Sequence, residues 1–333
     1  MTAPDEPTLI DYPVRREQPF ELPAAYRAAL LETPVRKVRL WDGSQAWLVT
    51  RYDDVRMVLG DPRFSADAQR PGFPFLSAAQ RATLRNNRAF IRMDPPEHTR
   101  LRRTLTKEFT VRAVSALEPM TRAIVDDVVE ALAREPSDGI LSRVLTDYAR
   151  TGVLTREEVL STALLLLVAG HETTANVIAL AVLALLRHPG QLDALLADPA
   201  LTPGAVEELL RHLTIVHTGQ ARLATDDVEI GGVTIAAGEG VIALLPTANA
   251  DPAVFPDPGE LRLDRAGAGH VAFGFGPHQC LGQHLARLEL RIVLDKIRPY
   301  LSSMRVAVPF EKIEFRHDML MYGVHELPVT FTR

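Results

Sequence analysis

A single cysteine, Cys280, among 333 residues excludes an internal disulfide framework and any zinc or iron–sulfur site that draws several thiolates from one chain. Aromatic residues are scarce at 6%, and neither sign of charge prevails, since 37 Lys and Arg face 42 Asp and Glu for a net charge of -5. Without a basic excess there is no field to gather nucleic acid. The opening MTAPDEPTLIDYP lacks a basic stretch followed by an apolar one, which predicts no secretory signal, no membrane anchor and a cytoplasmic location. Several catalytic signatures are missing too. There is no GxxxxGK[ST] phosphate loop and no GxSxG elbow; His171-Glu172 opens an HExxH whose second His position holds Ala175, and GFGPHQ puts Gln279 where a dinucleotide fingerprint needs its third Gly.

What is present is 47% hydrophobic, with 20 Gly and 24 Pro, and it reads as one globular domain over 1–333 with no repeat, linker or low-complexity tract. Ser161 to Leu186 is the most apolar stretch. His171, Glu172, Thr173, Thr174 and Asn176 interrupt it, leaving flanking apolar runs shorter than the roughly 18 residues of a membrane span, so a long central helix is expected. Thr155 is its N-cap and Pro189 stops it beyond Arg187. Helical periodicity also covers Met120 to Arg134 and Pro203 to Leu213. Short strands flank Asp42-Gly43 (Val38–Leu40 and Ala46–Thr50), recur in Val228 to Leu245, and form a C-terminal hairpin over Met319 to Phe331 with Gly323 near its bend. The fold class is mainly α with small β-sheets.

Phe273-Gly274-Phe275-Gly276-Pro277-His278-Gln279-Cys280-Leu281-Gly282 runs into a helical pattern at Leu285, Leu288 and Ile292. A glycine-containing loop that presents a thiol at a helix N-terminus favours a thiolate, through free amide N–H groups and the helix dipole. A lone cysteine is more often a buried structural residue; the flanking pattern argues otherwise here.

This loop matches FxxGxxxCxG and resembles the ligand loop of the cytochrome P450 family, the haem-thiolate monooxygenases. Ala169-Gly170-His171-Glu172-Thr173-Thr174 resembles the family's oxygen-activation motif, Glu208-Leu209-Leu210-Arg211 its ExxR motif, and His98-Thr99-Arg100-Leu101-Arg102 its HxxxR pattern, in the family's order. The resemblance is to the soluble bacterial type, with a helical haem-binding part over about 94–300.

It implies haem b as cofactor, with Cys280 as the axial ligand, the only metal ligand from the chain. His278, His98, Arg102 and Arg222 would bind the haem propionates, with Phe273, Gly276 and Gly282 shaping the loop. Gly170 and Thr173, three apart, share a helix face; Gly170 would allow a local break for dioxygen, Thr173 would donate a proton there, and Glu172 would relay protons from solvent. A Thr bonded back to its own helix and a solvated Glu are the plainer readings of those two residues. Glu208 and Arg211 would form a structural ion pair whose third partner, usually a later arginine, is unassigned: Glu260 holds about that register and Arg262 lies near. The substrate pocket would include Leu165, Val168, Ala169, Ile215 to Gly219, Met321 and Tyr322, closed by a mobile loop over Arg70 to Ala89. Arg102, Arg103, Lys107, Arg287 and Arg291 would form a basic patch for an acidic redox partner.

The resemblance also implies hydroxylation or epoxidation of a small hydrophobic molecule with O2, and electrons from NAD(P)H by way of a ferredoxin and its reductase. It departs from the family at one place. Beyond Arg134 the chain passes through Glu135-Pro136-Ser137-Asp138 straight into Ile140-Leu141, where family members carry several tens of residues that supply a bundle helix and two pocket-roof helices. The alternative reading is therefore an impaired or non-catalytic relative that binds haem or activates a partner enzyme.

Overall fold

The computed structural model describes residues 9–86, 89–106, 109–117, 119, 155–265 and 269–332. The expected helix at Met120 to Arg134, the junction at 135–140 and Lys107 lie outside them. Helices dominate: α1 (Ala24–Glu32), α2 (Tyr52–Gly60), α3 (Ala78–Asn86), α4 (Glu97–Thr106), α5 (Val111–Ala116), α6 (Arg156–Arg187), α7 (Pro189–Ala197), α8 (Thr202–Leu213), α9 (Leu245–Ala248) and α10 (Gln283–Leu301).

The long helix α6 has the expected ends. Thr155 Oγ1 accepts from Glu158 N at 3.2 Å while Glu158 Oε2 accepts from Thr155 N at 2.9 Å, a capping box that satisfies two otherwise free amides. The part from Ala169 to Arg187, polar cluster included, is long and apolar enough by length and composition to cross a membrane. Here it is a core helix: Leu180, Leu183, Ala184 and Leu185 are inaccessible and pack with Leu209 and Leu213 of α8 and Leu294 of α10. A partly exposed polar cluster at its middle and an apolar C-terminal half thus divide one helix between a candidate site and a core.

The strands make three small sheets. In the largest the order is β1 (Ile10–Asp11), β2 (Val35–Arg39), β3 (Gln45–Val49), β8 (Gly240–Ala243), β5 (Gln220–Ala224), β4 (Phe64–Ser65). Its β2–β3 hairpin turns at Gly43, whose φ of 83° suits glycine. A second pairs β6 (Val228–Ile230) with β7 (Val233–Ile235). The expected hairpin over Met319 to Phe331 does not form: β10 (Val329–Phe331) pairs antiparallel with β9 (Met304–Val306), just after α10, and Phe315 bridges Val324. Gly323 instead lies against α6, where Asn176 occupies the space a Cβ would need. Residues 70–89, expected as a pocket loop, contain α3, with Phe73, Phe75 and Leu76 buried at its approach.

Candidate haem site

The cysteine loop is clamped by its glycines. Gly274 and Gly276 both have φ of 72°, and a Cβ on Gly276 would stand 2.5 Å from the Leu59 carbonyl oxygen at the end of α2. Phe275 rests near Gly60, with the Arg56 guanidinium 4.2 Å from its ring centre. The chain then makes a 3₁₀ turn at Gly276–His278, Cys280 N donates to Phe273 O at 2.9 Å, and α10 starts after its N-cap Gly282. The thiol is presented at the surface of this loop. Its pKa is nonetheless raised by the crowding of protein around it; the Gly282 amide, Arg102 and Arg287 act in the opposite direction without prevailing. The Gly282 amide, Arg102 and Arg287 thus push toward the thiolate that the sequence predicts and burial pushes against it, so these groups do not alone decide the charge of Cys280. Coordination to a metal ion would do so.

Beside the thiol stands a group of basic side chains, two imidazoles and three guanidiniums, with no acid among them in the described residues. His98 on α4 is 2% exposed and its ring centre lies 4.0 Å from that of His278. Both ring nitrogens of His98 and Nδ1 of His278 are buried without a hydrogen-bond partner among the described residues. Arg222 of β5 is as buried, and its Nη1 reaches only the Ala221 carbonyl, at 2.8 Å. Arg92 leans on the same carbonyl at 3.4 Å, while Arg102 Nη2 donates to Gln279 O at 2.5 Å and so reaches the cysteine loop. The nearest carboxylate, Asp94, is engaged by the Ser65 hydroxyl, the Ala66 amide and Arg70.

Burial, then mutual repulsion, lowers the pKa of His98 to about 4, of His278 to about 2 and of Arg222 to about 9; burial alone brings Arg92 to about 10. Buried charge without a partner is costly. Orphaned donors and unpaired guanidiniums beside one thiol fit a macrocycle that carries an axial coordination position and two carboxylates, which is the chemistry of haem. Arg92 belongs to this group and sequence reasoning missed it; a lone Arg in Phe90-Ile91-Arg92-Met93 gives no signal of its own.

Along α6, the backbone is helical without interruption through Gly170, so the local break expected there is not formed, and a Cβ on Gly170 would meet nothing within 4 Å. Thr173 Oγ1 donates to Ala169 O at 2.5 Å, the back-bond to its own helix. Glu172 Oε1 lies 3.1 Å from Arg316 Nη1, a partner absent from the sequence reading, and the Glu172 carbonyl accepts from Asn176 Nδ2 at 2.9 Å. Ala169, Gly170 and His171 are exposed. Thr174 donates to Glu289 Oε2 on α10 at 3.2 Å.

The expected pocket residues divide. Leu165 packs with Phe90, Met93, Leu101 and Leu105, and the side chain of Val168 lies outside the described ones. Met321 is partly buried against the main core, and Tyr322 is 1% exposed within it. The Tyr322 ring stacks on Phe315, with centres 5.9 Å apart, and carries the Arg16 guanidinium 4.4 Å from its centre; its amide donates to Ile215 O at 2.8 Å. Segments 215–219 and 321–322 thus do meet, although Tyr322 offers no exposed face.

The ExxR pair is buried: Arg211 Nε and Nη2 donate to Glu208 at 2.7 and 2.8 Å. Arg211 also donates to the carbonyls of Asn249, Pro258 and Glu260. The unassigned third partner is Arg265, whose Nε lies 3.1 Å from Glu208 Oε1 and whose Nη atoms bind the carbonyls of Pro256, Asp257 and Glu260. Arg262 contributes its backbone amide to Glu208 instead. The proposed basic patch is thinner than its sequence suggests: Arg103 is exposed, but Arg287 is paired with Glu207 at 2.7 Å and Arg102 is turned to the cysteine loop.

Residues 133–328 match the profile of the cytochrome P450 family. Cytochrome P450-SU2 of Streptomyces griseolus is 44% identical over 403 aligned residues, spanning 99% of this chain and 98% of that protein. The 20-oxo-5-O-mycaminosyltylactone 23-monooxygenase of Streptomyces fradiae is 35% identical, over 97% of this chain and 92% of its own. Among solved structures, CYP105N1 from Streptomyces coelicolor A3(2) superposes with a TM-score of 0.90 at 37% identity, over 98% of this chain and all of that one. The alignment is 403 positions long against the 333 residues of this chain, so at least 70 positions of the relative have no counterpart here. With the thiol loop, the basic cluster around His98 and Arg222 and the Glu208–Arg211–Arg265 group in one fold, this chain belongs to the cytochrome P450 family of monooxygenases, soluble bacterial type, with haem as its cofactor and electrons supplied by external redox partners.

Proposed function

We propose that the chain hydroxylates or epoxidises a small hydrophobic molecule of secondary metabolism, with O2 and with electrons that pass from NAD(P)H through a ferredoxin reductase and a ferredoxin, in the cytoplasm. The observation that carries this is the pair of buried basic side chains His98 and Arg222, with the half-buried His278, Arg92 and Arg102 around them beside Cys280 and no acid in the group among the described residues. Haem bound there supplies the activation of dioxygen. Cys280 would ligate it through sulfur, and the histidines and arginines would hold its carboxylates by charge-assisted hydrogen bonds. Phe273, Gly276 and Gly282 keep the thiol at the loop surface.

From α6, the Thr173 hydroxyl, once freed from its bond to Ala169 O, would hold a proton at Oγ1 for the oxidation. Glu172, on the same helix and open to solvent, replaces that proton once its carboxylate leaves Arg316. Gly170 keeps side-chain bulk away from them. In this reading Ala169, Leu165, Met321 and the 215–219 segment form the approach for substrate, with the Tyr322 amide bond to Ile215 O holding the last two together. The Streptomyces fradiae relative, named for oxidation of a mycaminosyltylactone, supports a secondary-metabolite substrate class.

The 70-residue shortfall favours a second reading, a haem protein that turns over poorly or serves a partner enzyme. We place the gap at the Glu135–Ile140 junction, where it removes the pocket roof; water entering there would divert reducing equivalents into peroxide. The test is a turnover assay with NADPH, ferredoxin, reductase and a panel of hydrophobic substrates. Substrate-dependent product, with less product and more peroxide per NADPH in Thr173→Ala, is expected. A haem-loaded protein that consumes NADPH yet gives no product from any substrate would overturn the leading reading in favour of the second.

A further inference from the structure

Glu207 stands immediately before the buried Glu208 but faces the other way, and nothing in the reaction described so far uses it. Its two oxygens take Arg287 Nε at 2.7 Å and Nη2 at 3.0 Å, and Oε2 lies 3.2 Å from His270 Nε2. Arg287 sits in the first turns of α10, seven residues beyond Cys280, with its guanidinium 4.6 Å from the centre of the Phe273 ring and Nη1 3.0 Å from Gln283 Oε1. His270 is buried at the entrance of the same loop, its ring centre 6.0 Å from that of Phe273. One carboxylate therefore joins α8 to both ends of the segment that presents the thiol.

The electrostatics give this junction a direction. Arg287 is one of two cations that favour the charged form of Cys280, the other being Arg102. A carboxylate bound bidentately to Arg287 cancels much of that field. The potential of a thiolate-ligated iron follows the charge and hydrogen bonding around the sulfur, because each electron taken up adds negative charge at the site.

We propose that Glu207 is a positioning residue for the Cys280 ligand: by neutralising Arg287 and bracing His270 it holds the bound iron at a lower reduction potential than the loop alone would give. The proposal rests on the reading of Cys280 as the haem ligand. Glu207 is partly open to solvent, so the effect is screened and modest.

The experiment is a redox titration of the haem-loaded full chain, comparing wild type with Glu207→Gln, Arg287→Gln and the double variant, each first checked for the thiolate-type spectrum of its reduced carbon monoxide complex. Glu207→Gln is expected to move the ferric–ferrous balance three- to tenfold toward ferrous, a tenfold change being 59 mV for one electron. Arg287→Gln is expected to move it the other way, and the double variant to return near wild type. An unchanged or lowered potential in Glu207→Gln, or a double variant that keeps the full shift of Glu207→Gln, would overturn the proposal. If Glu207→Gln does not hold haem, Arg287→Gln decides alone, and an unaltered potential there overturns it. A wild type without the thiolate spectrum would instead sink the assignment of Cys280.

Discussion

The side chain of Asn176 fills the space where a substituent on Gly323 would stand: a Cβ built on that glycine falls 1.9 Å from Asn176 Oδ1 and 2.4 Å from its Cγ. The contact locks the C-terminal segment onto the long helix one turn beyond Glu172, whose carbonyl the same Asn176 side chain binds. Gly323 O also accepts from Arg316 N at 2.8 Å, so the segment that carries the Glu172 partner is fixed there.

Gly323→Ala should therefore overpack this junction and cost about 1–3 kcal/mol. Thermal unfolding would measure it. Asn176→Ala in the same chain should recover part of the loss, because it empties the space the new methyl needs. Equal stability of Gly323→Ala and wild type would show that the segment moves aside freely.

The buried group around Glu208 has an ordered hierarchy. Glu208→Gln leaves Arg211, inaccessible to water, without its charge partner, and should lower stability by about 3–5 kcal/mol. Arg265→Gln should cost less, since Arg211 still satisfies Glu208 and Arg265 lies nearer the surface. Denaturant midpoints of the two variants would rank them; Arg265→Gln as damaging as Glu208→Gln would contradict this order.

Removing Arg222 separates ligand binding from folding. Its guanidinium is buried with no carboxylate, so Arg222→Met should leave the apoprotein at least as stable as wild type. Haem affinity should fall roughly ten- to a hundredfold, the value of one lost charge-assisted hydrogen bond of about 1.5–3 kcal/mol. Haem titration followed by absorbance, beside apoprotein melting, gives both numbers. A variant that binds haem as tightly as wild type would remove Arg222 from the propionate set.

Acid should weaken the fold before it touches the carboxylates. Burial, with the nearby charges of Arg16 and His317, takes His217 down to about 4 despite its bond to the Met319 carbonyl, and burial with Arg211 does the same to His212. An unfolded histidine titrates near 6.5. Between those values the unfolded chain binds protons that the folded one does not, so stability is full above about pH 6.5 and declines as pH falls toward 4, by on the order of 2–3 kcal/mol for each site. Unfolding midpoints at pH 7, 5.5 and 4.5 test this. His217→Gln should flatten the decline, and an identical slope in that variant would contradict the assignment.

Legibility followed locality. Thr155, Glu158 and Pro189 announce the ends of α6 within a few residues, and the glycines around Cys280 announce their loop in the same way. Features that depend on distant chain were not legible. The partner of β10 lies two dozen residues upstream, beyond the reach of a turn signal at Gly323. Arg265 completes the Glu208 group because the turn after Arg262 carries it back, five residues past the register position at Glu260. Arg316 and Arg92 resemble surface arginines until the fold brings one to Glu172 and buries the other beside Arg222. The Thr173 back-bond, the plainer of two readings, is what stands in the structure.

The most direct test of the whole account is the absorbance spectrum of the haem-loaded protein, reduced with dithionite under carbon monoxide, beside Cys280→Ser. A strongly red-shifted Soret band in the wild type, absent from the variant, is the predicted result and places the Cys280 sulfur on the iron. A wild type that takes up no haem, or a band that Cys280→Ser leaves unmoved, would contradict the assignment on which the proposed chemistry depends.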